Sequence, residues 1–322
     1  MKNVVVLCPG DTVTGGPELI HQFIDALRNK KVNAKILYFP LSKKFEVPSQ
    51  YSKYNIEISS LSECRSDNVE LIVPEIATQY LDIIGCKNKT IWWLSVDNFF
   101  ESFPKTIFGK VKNQIKKYIL KKPTPLFITD MSGIKHLSQS FYGKHFLNEK
   151  GINDVMLLSD YLNQYHLDKD VNINEKKDIV VYNPKKGVFF TNRIIGLFPH
   201  IKFVPIQNMT SKEVSTLLDE SKVYIDFGEH PGKDRIPREA AMAKCVVITG
   251  TKGSANNHYD VPIPDSYKFN EKTSDINSIG ELFSDVFIDF ENHMSNFDNY
   301  REIISNERKV FLQQVDLLIK KL

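Results

Sequence analysis

A short stretch in the second half of the chain concentrates charged side chains between a predicted strand and a predicted helix. Residues 227–243 read F-G-E-H-P-G-K-D-R-I-P-R-E-A-A-M-A. Lys233 and Arg235 could neutralise a diphosphate, and Glu239 could accept hydrogen bonds from the paired hydroxyls of a ribose. Alternatively, Glu239 only complements the helix dipole and the other charges form a solvated loop. Because ligands of open α/β sheets bind beyond the carboxyl ends of strands, the first interpretation is favoured.

A second basic turn, at residues 182–187, reads Y-N-P-K-K-G and also follows a predicted strand. If the two strands are close in one sheet, Lys185 and Lys186 could lie beside the charged loop and contact the same anion. A capping loop with exposed lysines is the alternative.

A third turn lies in the first half, where Gly15 and Gly16 precede Pro17. Proline in the first turn predicts a helix start, and the free N–H groups there can approach an anion or a sugar hydroxyl. The spacing matches neither G-x-G-x-x-G nor a P-loop, so a tight turn without a ligand is equally open.

Residues 91–99 place both tryptophans of the chain at the end of a predicted strand, just before Asp97 and Asn98. These two polar residues could contact a second substrate, and Trp93 could stack on a sugar ring. Core packing of both rings, with Asp97 as a helix cap, is the alternative. Glu75, which follows another predicted strand, is a similar but fainter candidate.

Residues 105–122 contain seven lysines and no acidic residue, between Pro104 and Pro123. Apolar residues recur at helical spacing opposite much of that charge, which is typical of a helix lying on an anionic membrane surface. An ordinary helix with a solvated lysine face is the alternative. The lysines expected to face a membrane are Lys110, Lys112, Lys116 and Lys117.

Short apolar runs alternate with helical patterns along the chain, which predicts βαβ units and parallel sheets. The predicted strands of the first half are Val4–Cys8, Lys35–Phe39, Glu70–Val73, Thr90–Val96, Leu126–Thr129 and Asp154–Leu158. Those of the second half are Asp178–Tyr182, Lys202–Ile206, Val223–Phe227 and Val246–Thr249, with helices Val188–Leu197, Ser211–Leu218 and Pro237–Ala243 between them. From about Ser274 onwards the pattern is helical without further strands.

A polar stretch separates the two halves and predicts two domains. The expected division is a first α/β domain at 1–165, a linker at 166–177, a second α/β domain at 178–300 and a C-terminal helix at 301–322 that packs back on the first domain. Two such domains would face each other across a cleft.

The composition excludes several classes of protein. The 322 residues carry a net charge of +3, and 42% are hydrophobic, which excludes a disordered chain and a broadly basic nucleic-acid binder. The four cysteines are far apart, so neither a zinc cluster nor a disulfide framework is expected. No apolar run approaches the length of a membrane span. The expected location is the cytoplasm, at the inner face of the membrane if the basic segment binds it.

The order of these segments resembles the glycosyltransferases of GT-B fold, close to the retaining family 4. Gly15-Gly16 is similar to the glycine pair before the first helix of that family, and Lys186-Gly187 resembles its Lys-Gly after the first strand of the donor domain. Residues 239–248, E-A-A-M-A-K-C-V-V-I, resemble its E-A-M-A-x-G-x-P-V-I stretch, with Glu239 in the place of the ribose-binding glutamate.

The chain also departs from that family's pattern. Its E-x7-E motif would place a first glutamate at position 231, where this chain has Pro231, and Glu229 lies two residues earlier. The basic residue before Lys-Gly is missing unless Lys185 replaces it, and Lys244 stands where glycine is usual. Lys233 and Arg235 would then contact the diphosphate in a divergent arrangement.

The resemblance implies two Rossmann-like domains facing a cleft and transfer of a sugar, with retention of configuration, from a nucleotide-diphosphate sugar to a glycan or lipid-linked acceptor. Since no D-x-D motif lies in a suitable loop, neither a metal nor another cofactor is expected. The expected catalytic residues are Lys233, Arg235, Glu229 and Asp97, and the expected acceptor residues are Trp93 and Asn98. The expected donor-binding residues are Gly15, Gly16, Asn183, Lys185, Lys186, Gly187, His230, Gly232, Arg238, Glu239, Gly253 and Ser254.

Other functions stay open at this point. An inverting or pyruvyl-transferring GT-B relative would share the same sequence features. A non-catalytic relative that binds glycan or nucleotide is also compatible with Pro231 at the position of the first glutamate.

Overall fold

The computed structural model describes residues 3–104 and 123–322, together with Ile115 and Ile119. The lysines of the basic segment at 105–122 lie outside the described residues. The chain divides into two compact units, the first made of Met1–Asp160 and Lys309–Leu322 and the second of Tyr161–Arg308. Each unit has its own parallel sheet and its own buried core, which confirms the predicted fold class of two Rossmann-like domains.

The described residues of the first unit form six parallel strands in the order β2-β1-β3-β4-β5-β6. The strands are β1 (Asn3–Pro9), β2 (Ala34–Phe39), β3 (Val69–Pro74), β4 (Asn88–Trp93), β5 (Lys135–Ser138) and β6 (Val155–Leu157). The described helices are α1 (Gly15–Asn29), α2 (Leu61–Cys64), α3 (Tyr80–Ile84), α4 (Val96–Glu101) and α5 (Phe141–Glu149).

The second unit contains four parallel strands in the order β10-β9-β7-β8. They are β7 (Lys177–Tyr182), β8 (Lys202–Pro205), β9 (Ser221–Asp226) and β10 (Val246–Thr249). The helices are α6 (Gln164–Leu167), α7 (Val188–Leu197), α8 (Ser211–Glu220), α9 (Arg235–Met242), α10 (Ile276–Ile288), α11 (Phe290–Ser295) and α12 (Asp298–Lys321). The order places β7 directly beside β9, so the two basic turns predicted to converge follow neighbouring strands.

The buried strands explain why the apolar runs were recognisable. Residues 4–8 of β1 and all four residues of β10 are buried, as expected for parallel strands covered on both faces.

The predicted strand at Leu126–Thr129 is wrong, because the backbone N–H of Leu126 donates to the Thr78 hydroxyl at 2.9 Å and Ile128 begins a short 3₁₀ turn. The strand at that place in the sheet is β5.

The segment predicted as a linker belongs to the second unit. Leu167 of α6 and Ile173 both pack against the hydrophobic core of that unit, so the polar composition of 166–177 conceals two anchoring apolar side chains. Helix α12 begins in the second unit, and its last residues, from Lys309 onwards, belong to the first.

Candidate functional site

The carboxyl ends of β7 and β9 bring two turns of the second unit into direct contact. A Cβ atom on Gly187 would lie 2.5 Å from the carbonyl carbon of Phe227, and one on Gly228 would lie 2.2 Å from the Cβ of Lys186. Only glycine at these two positions allows the backbones to approach so closely. The turn after β7 therefore lies directly against the charged loop after β9.

Gly187 also has a left-handed backbone, with φ of 57°, and forms the N-cap of α7. Gly187→Ala is expected to lower the free energy of unfolding by more than about 1 kcal/mol. An alanine would be strained in this left-handed conformation, and its methyl group would clash with the backbone of Phe227. Urea denaturation measures the change. Gly196→Ala is the control, because it lies in the same helix with nothing within 4 Å of the added methyl group, and it should be neutral or stabilising. Equal destabilisation by both variants would contradict this account.

An ionic cluster around the buried His230 joins the two turns. The Lys186 ammonium is 2.6 Å from Asp234 Oδ2, and the fully buried His230 has Nδ1 3.2 Å from the same oxygen. On the other side of the ring, Nε2 lies 3.5 Å from Asp226 Oδ1. His230 therefore connects the end of β9 to Asp234, the residue that precedes α9.

Protonation of His230 balances the two aspartates. Burial of the ring opposes the charge, but Asp226 and Asp234 together outweigh it and raise the pKa of His230 to about 10. Burial likewise opposes ionisation of Asp226, yet His230 and Lys186 lower the pKa of that carboxyl below its ordinary value. The imidazolium fixes the charged loop from inside the unit.

Asp226, His230 and Asp234 are also a set whose ligand atoms are close enough for a metal ion. However, the two carboxylates contact opposite nitrogens of the ring, whereas a metal ion would bind one nitrogen. The Lys186 ammonium, moreover, already contacts Asp234. The arrangement fits a proton on each ring nitrogen better than a shared metal.

Lys233 and Arg238, both expected to bind the donor, instead form ion pairs with the buried carboxylate of Glu307. Lys233 Nζ is 2.6 Å from Glu307 Oε1, and Arg238, which is 1% exposed, is 2.6 Å from Glu307 Oε2. Arg238 also donates to the backbone carbonyls of Lys233 and Asp234. The expectation of Arg238 as a direct donor ligand is corrected: its guanidinium is buried and holds the loop in place. Glu307 was missed because no sequence signal links it to residues about 70 positions away.

The turn after β10 supports the charged loop from another side. Ser254 donates its hydroxyl to the Gly232 carbonyl at 2.6 Å, and its backbone N–H donates to the His230 carbonyl at 2.8 Å. Gly253 has φ of 57°, and a Cβ there would meet the His230 carbonyl oxygen at 2.1 Å. The expected donor residues Gly232, Gly253 and Ser254 are thus brought together, with the Ser254 hydroxyl engaged by the protein.

Glu239 is the fifth of the eight residues of α9 and is half-buried, with its side chain 18% exposed. His166 of α6 lies beside it, with Nε2 3.7 Å from Glu239 Oε1. Arg235 opens the same helix. His166 was missed because the surrounding sequence resembles a linker.

The remaining predicted residues of this unit are more peripheral. Glu229 is exposed, and its carboxylate lies 3.3 Å from Lys252, which also pairs with Glu271 at 2.9 Å. Lys185 is exposed at the tip of its turn, where its N–H donates to the Asn183 side chain at 3.1 Å.

In the first unit, the expected contact of Trp93 with a sugar is corrected. Trp93 is 1% exposed and donates from Nε1 to His136 Nδ1 at 3.1 Å, so its ring is part of the core. Asn98 is exposed and Asp97 is half-buried, both in the first turn of α4. The cap of that helix is Ser95, whose hydroxyl accepts from the N–H of Asn98 at 3.1 Å.

Gly15 and Gly16 begin α1, at the carboxyl end of β1. Gly15 is exposed and Gly16 half-buried, with space for an added Cβ at 3.5 Å from Leu94. Close packing therefore does not require glycine at position 16. The helix start is nevertheless formed as the sequence predicted.

Glu75 lies at the edge of the first sheet where the strands end, and its carboxyl group is almost fully buried. It is 2% exposed, and its Oε2 accepts the N–H of Leu94 at 2.8 Å, next to the turn that leads into α4. Burial raises the pKa of Glu75 to about 8, although backbone N–H groups oppose the shift. Glu75 is therefore mainly protonated at neutral pH.

The comparisons with known proteins agree on the fold. No protein-family model and no curated protein matches the sequence. Among solved structures, the chain is similar to sucrose-phosphate synthase from Thermosynechococcus elongatus, with a TM-score of 0.65, 9% identity and coverage of 100% of this chain and 99% of that one. It is also similar to HepE from Anabaena in complex with UDP-glucose, with a TM-score of 0.62, 9% identity and full coverage of both chains.

A third similar structure is a glycosyltransferase from Rickettsia africae, with a TM-score of 0.58, 13% identity and 98% coverage of both chains. These likenesses extend over both units of the chain. Together with the two parallel α/β units, they show that the chain has the GT-B fold.

Proposed function

We propose that this protein is a glycosyltransferase that moves a sugar from a nucleotide-diphosphate sugar to a glycan or lipid-linked acceptor. The observation that carries the proposal is the junction of the turns after β7 and β9, where Lys186 and the N-terminus of α7 meet the loop that leads to Glu239. Similarity to HepE, whose structure contains UDP-glucose, supports the same class of donor.

The second unit would bind the donor. The N-terminus of α7 offers free N–H groups and a positive dipole end to a diphosphate, and Lys186 adds a cation that is 29% exposed. Both would stabilise the charge that develops on the diphosphate as the glycosidic bond breaks. Arg235 would add to this positive field, whereas Lys233 would stay with Glu307 and support the loop.

Glu239 would orient the donor by accepting hydrogen bonds from the ribose hydroxyls. Its half-buried position makes such hydrogen bonds stronger than they would be in open solvent. The His230 cluster would keep the start of α9, and with it Glu239, in place before the donor arrives.

We propose further that the reaction retains the anomeric configuration and needs no metal ion. The first proposal rests on the sequence resemblance, and proton NMR of the product formed in the first minutes tests it. The second is supported by the cationic side chain at the proposed diphosphate site. Turnover that persists in EDTA would support it, and activity restored only by a divalent cation would contradict it.

The first unit would bind the acceptor, with Asp97 and Asn98 at the carboxyl end of β4. Synthesis of a surface polysaccharide or a glycolipid at the inner face of the membrane would fit the lysine-rich segment at 105–122. In the described part of the chain, no helix is long and apolar enough to cross a membrane. Sedimentation with anionic liposomes tests the attachment, and absence of binding at low salt would contradict it.

Thermal-shift screening against UDP, GDP, ADP and dTDP sugars tests the proposed donor class. A ligand that binds only the folded protein raises the unfolding midpoint, so one nucleotide should stand out. The protein should hydrolyse that sugar nucleotide slowly without acceptor, and the rate should fall in Glu239→Ala. Glu281→Ala is the control and should keep the natural rate, because Glu281 is an exposed residue of α10. Background rates in all three proteins would favour a non-catalytic binding protein.

A further inference from the structure

His166 lies against the residue that we propose to bind the ribose. It belongs to α6, a single turn that packs on α9, and Leu167 anchors this turn in the hydrophobic core of the second unit. Nε2 of His166 is 3.7 Å from Oε1 of Glu239. A small movement of either side chain would bring the two groups into hydrogen-bond distance.

The pair is shielded but still reachable from solvent. The His166 side chain is 15% exposed and that of Glu239 is 18% exposed. An ion pair at such a site is screened less than one on an open surface, so a change of charge on His166 would be felt by the carboxylate. At the same time, part of the Glu239 side chain is open to solvent.

Several charged groups face His166 from the neighbouring elements. Glu239 and Arg235 belong to α9, Lys169 follows α6 and Asp219 belongs to α8. Lys169 forms an ion pair with Asp219 at 2.6 Å, and its ammonium lies 5.2 Å from the ring centre of Tyr165. The charges of Lys169 and Asp219 therefore largely balance each other. Glu239 is therefore the carboxylate most directly available to a protonated His166.

These surroundings favour the neutral ring at neutral pH. Burial is the main cause, and it lowers the pKa of His166 below its ordinary value of 6.5. Glu239 and Asp219 act in the opposite direction, while Lys169 and Arg235 add to the lowering. The ring therefore takes up a proton at a lower pH than an ordinary histidine does.

We propose that His166 is a positioning residue that controls how the Glu239 carboxylate is shared between the protein and the ribose hydroxyls of a nucleoside diphosphate. The neutral imidazole leaves the carboxylate to the ribose. The imidazolium pairs with Glu239 and competes with the hydroxyls, so nucleotide affinity falls as the ring takes up a proton. This inference rests on the proposed function, because it requires a ribose at Glu239.

Calorimetric titration with UDP and with 2′,3′-dideoxy-UDP, at about pH 7.5 and about pH 5.5, tests the proposal. Both nucleotides carry the same phosphates, so the ratio of their affinities cancels phosphate ionisation and reports only the ribose hydroxyls. In the natural protein this ratio should fall by about fivefold or more on acidification, which is the effect of one partly shielded ion pair.

Two variants separate positioning from general damage. His166→Gln keeps an N–H donor without a titratable charge, so its ratio should stay constant between the two pH values and remain near the natural protein's value at pH 7.5. His145→Gln, at a side chain 75% exposed in the first unit, should keep the natural pH dependence. Circular dichroism at both pH values confirms that each protein is folded.

The outcomes are distinguishable. A constant ratio in the natural protein, or the same fall in His166→Gln, would overturn the inference and leave the proposed function standing. If neither UDP nor GDP, ADP or dTDP binds at pH 7.5, the proposed function fails and this inference fails with it.

Discussion

Replacing His230 with glutamine is expected to lower the free energy of unfolding of the second unit by about 3–5 kcal/mol at pH 7. His230 is fully buried between Asp226 and Asp234, at 3.5 and 3.2 Å, so its removal leaves the buried Asp226 carboxylate without its cationic neighbour, whereas Asp234 keeps its pair with Lys186. Urea denaturation followed by circular dichroism measures the loss. His258→Gln is the control, because that side chain is 58% exposed and pairs with an exposed aspartate.

The same variant should change the dependence of stability on pH. The pKa of His230 is about 10 in the folded protein against an ordinary 6.5, so the stabilisation is complete below pH 6.5 and is lost as the pH rises towards 10. The natural protein should lose up to about 1.4 kcal/mol per pH unit in this range, and His230→Gln should lack that slope. Parallel pH profiles of the two proteins would show that the ring is not protonated between the aspartates.

Replacing Glu75 with glutamine is expected to remove a pH dependence from the stability of the first unit. The carboxyl keeps its proton up to about pH 8 when folded but loses it near 4.5 when unfolded. Stability therefore falls as the pH rises from 4.5 to 8, by up to about 1.4 kcal/mol per unit, or about 4 kcal/mol between pH 5 and 8. Glu75→Gln should keep its stability over this range, because a neutral amide resembles the protonated acid.

Tryptophan fluorescence is suited to this measurement, because both tryptophans, Trp92 and Trp93, are buried in the first unit. Glu149→Gln, at a side chain 61% exposed in the same unit, should keep the natural pH profile. The stability of the first unit could change equally between pH 5 and pH 8 in the natural protein and in Glu75→Gln. That result would contradict a protonated Glu75.

Much of the second unit was predictable because β9 and β10 are almost wholly buried and, like the middle of β7, read as short apolar runs. The predicted strand Val246–Thr249 and the predicted helix Val188–Leu197 have the same bounds in the structure. By contrast, β5 reads K-H-L-S and escaped prediction, since its buried His136 and Ser138 are polar. The apolar run at Leu126–Thr129 was mistaken for that strand.

The position of the candidate site was also predictable, from the rule that ligands bind at the carboxyl ends of parallel strands. The rule places the turns at 183–187 and 227–234 together once β7 and β9 are neighbours. What each cation does was not predictable, because it depends on partners distant in sequence. Lys233 and Arg238 share Glu307, and only the folded chain shows that pairing.

The tryptophans illustrate the same limit. Their position at a strand end was compatible with sugar stacking and with core packing, and burial of Trp93 at 1% exposure decides for the core. His166 shows the converse case, since a polar segment that resembles a linker contributes a titratable group 3.7 Å from Glu239. In both cases the information lies in packing, which residue type and spacing do not encode.

The proposed function requires that the second unit bind the nucleotide diphosphate of a sugar donor through Lys186, the N-terminus of α7 and Glu239. Calorimetric titration of the natural protein and Glu239→Ala with UDP-glucose, and with the sugars of GDP, ADP and dTDP, tests it most directly. We expect one donor to bind with a stoichiometry of about one per chain, and Glu239→Ala to weaken it about tenfold through the loss of charged hydrogen bonds to the ribose. Absence of binding by every sugar nucleotide to the folded natural protein would contradict the account.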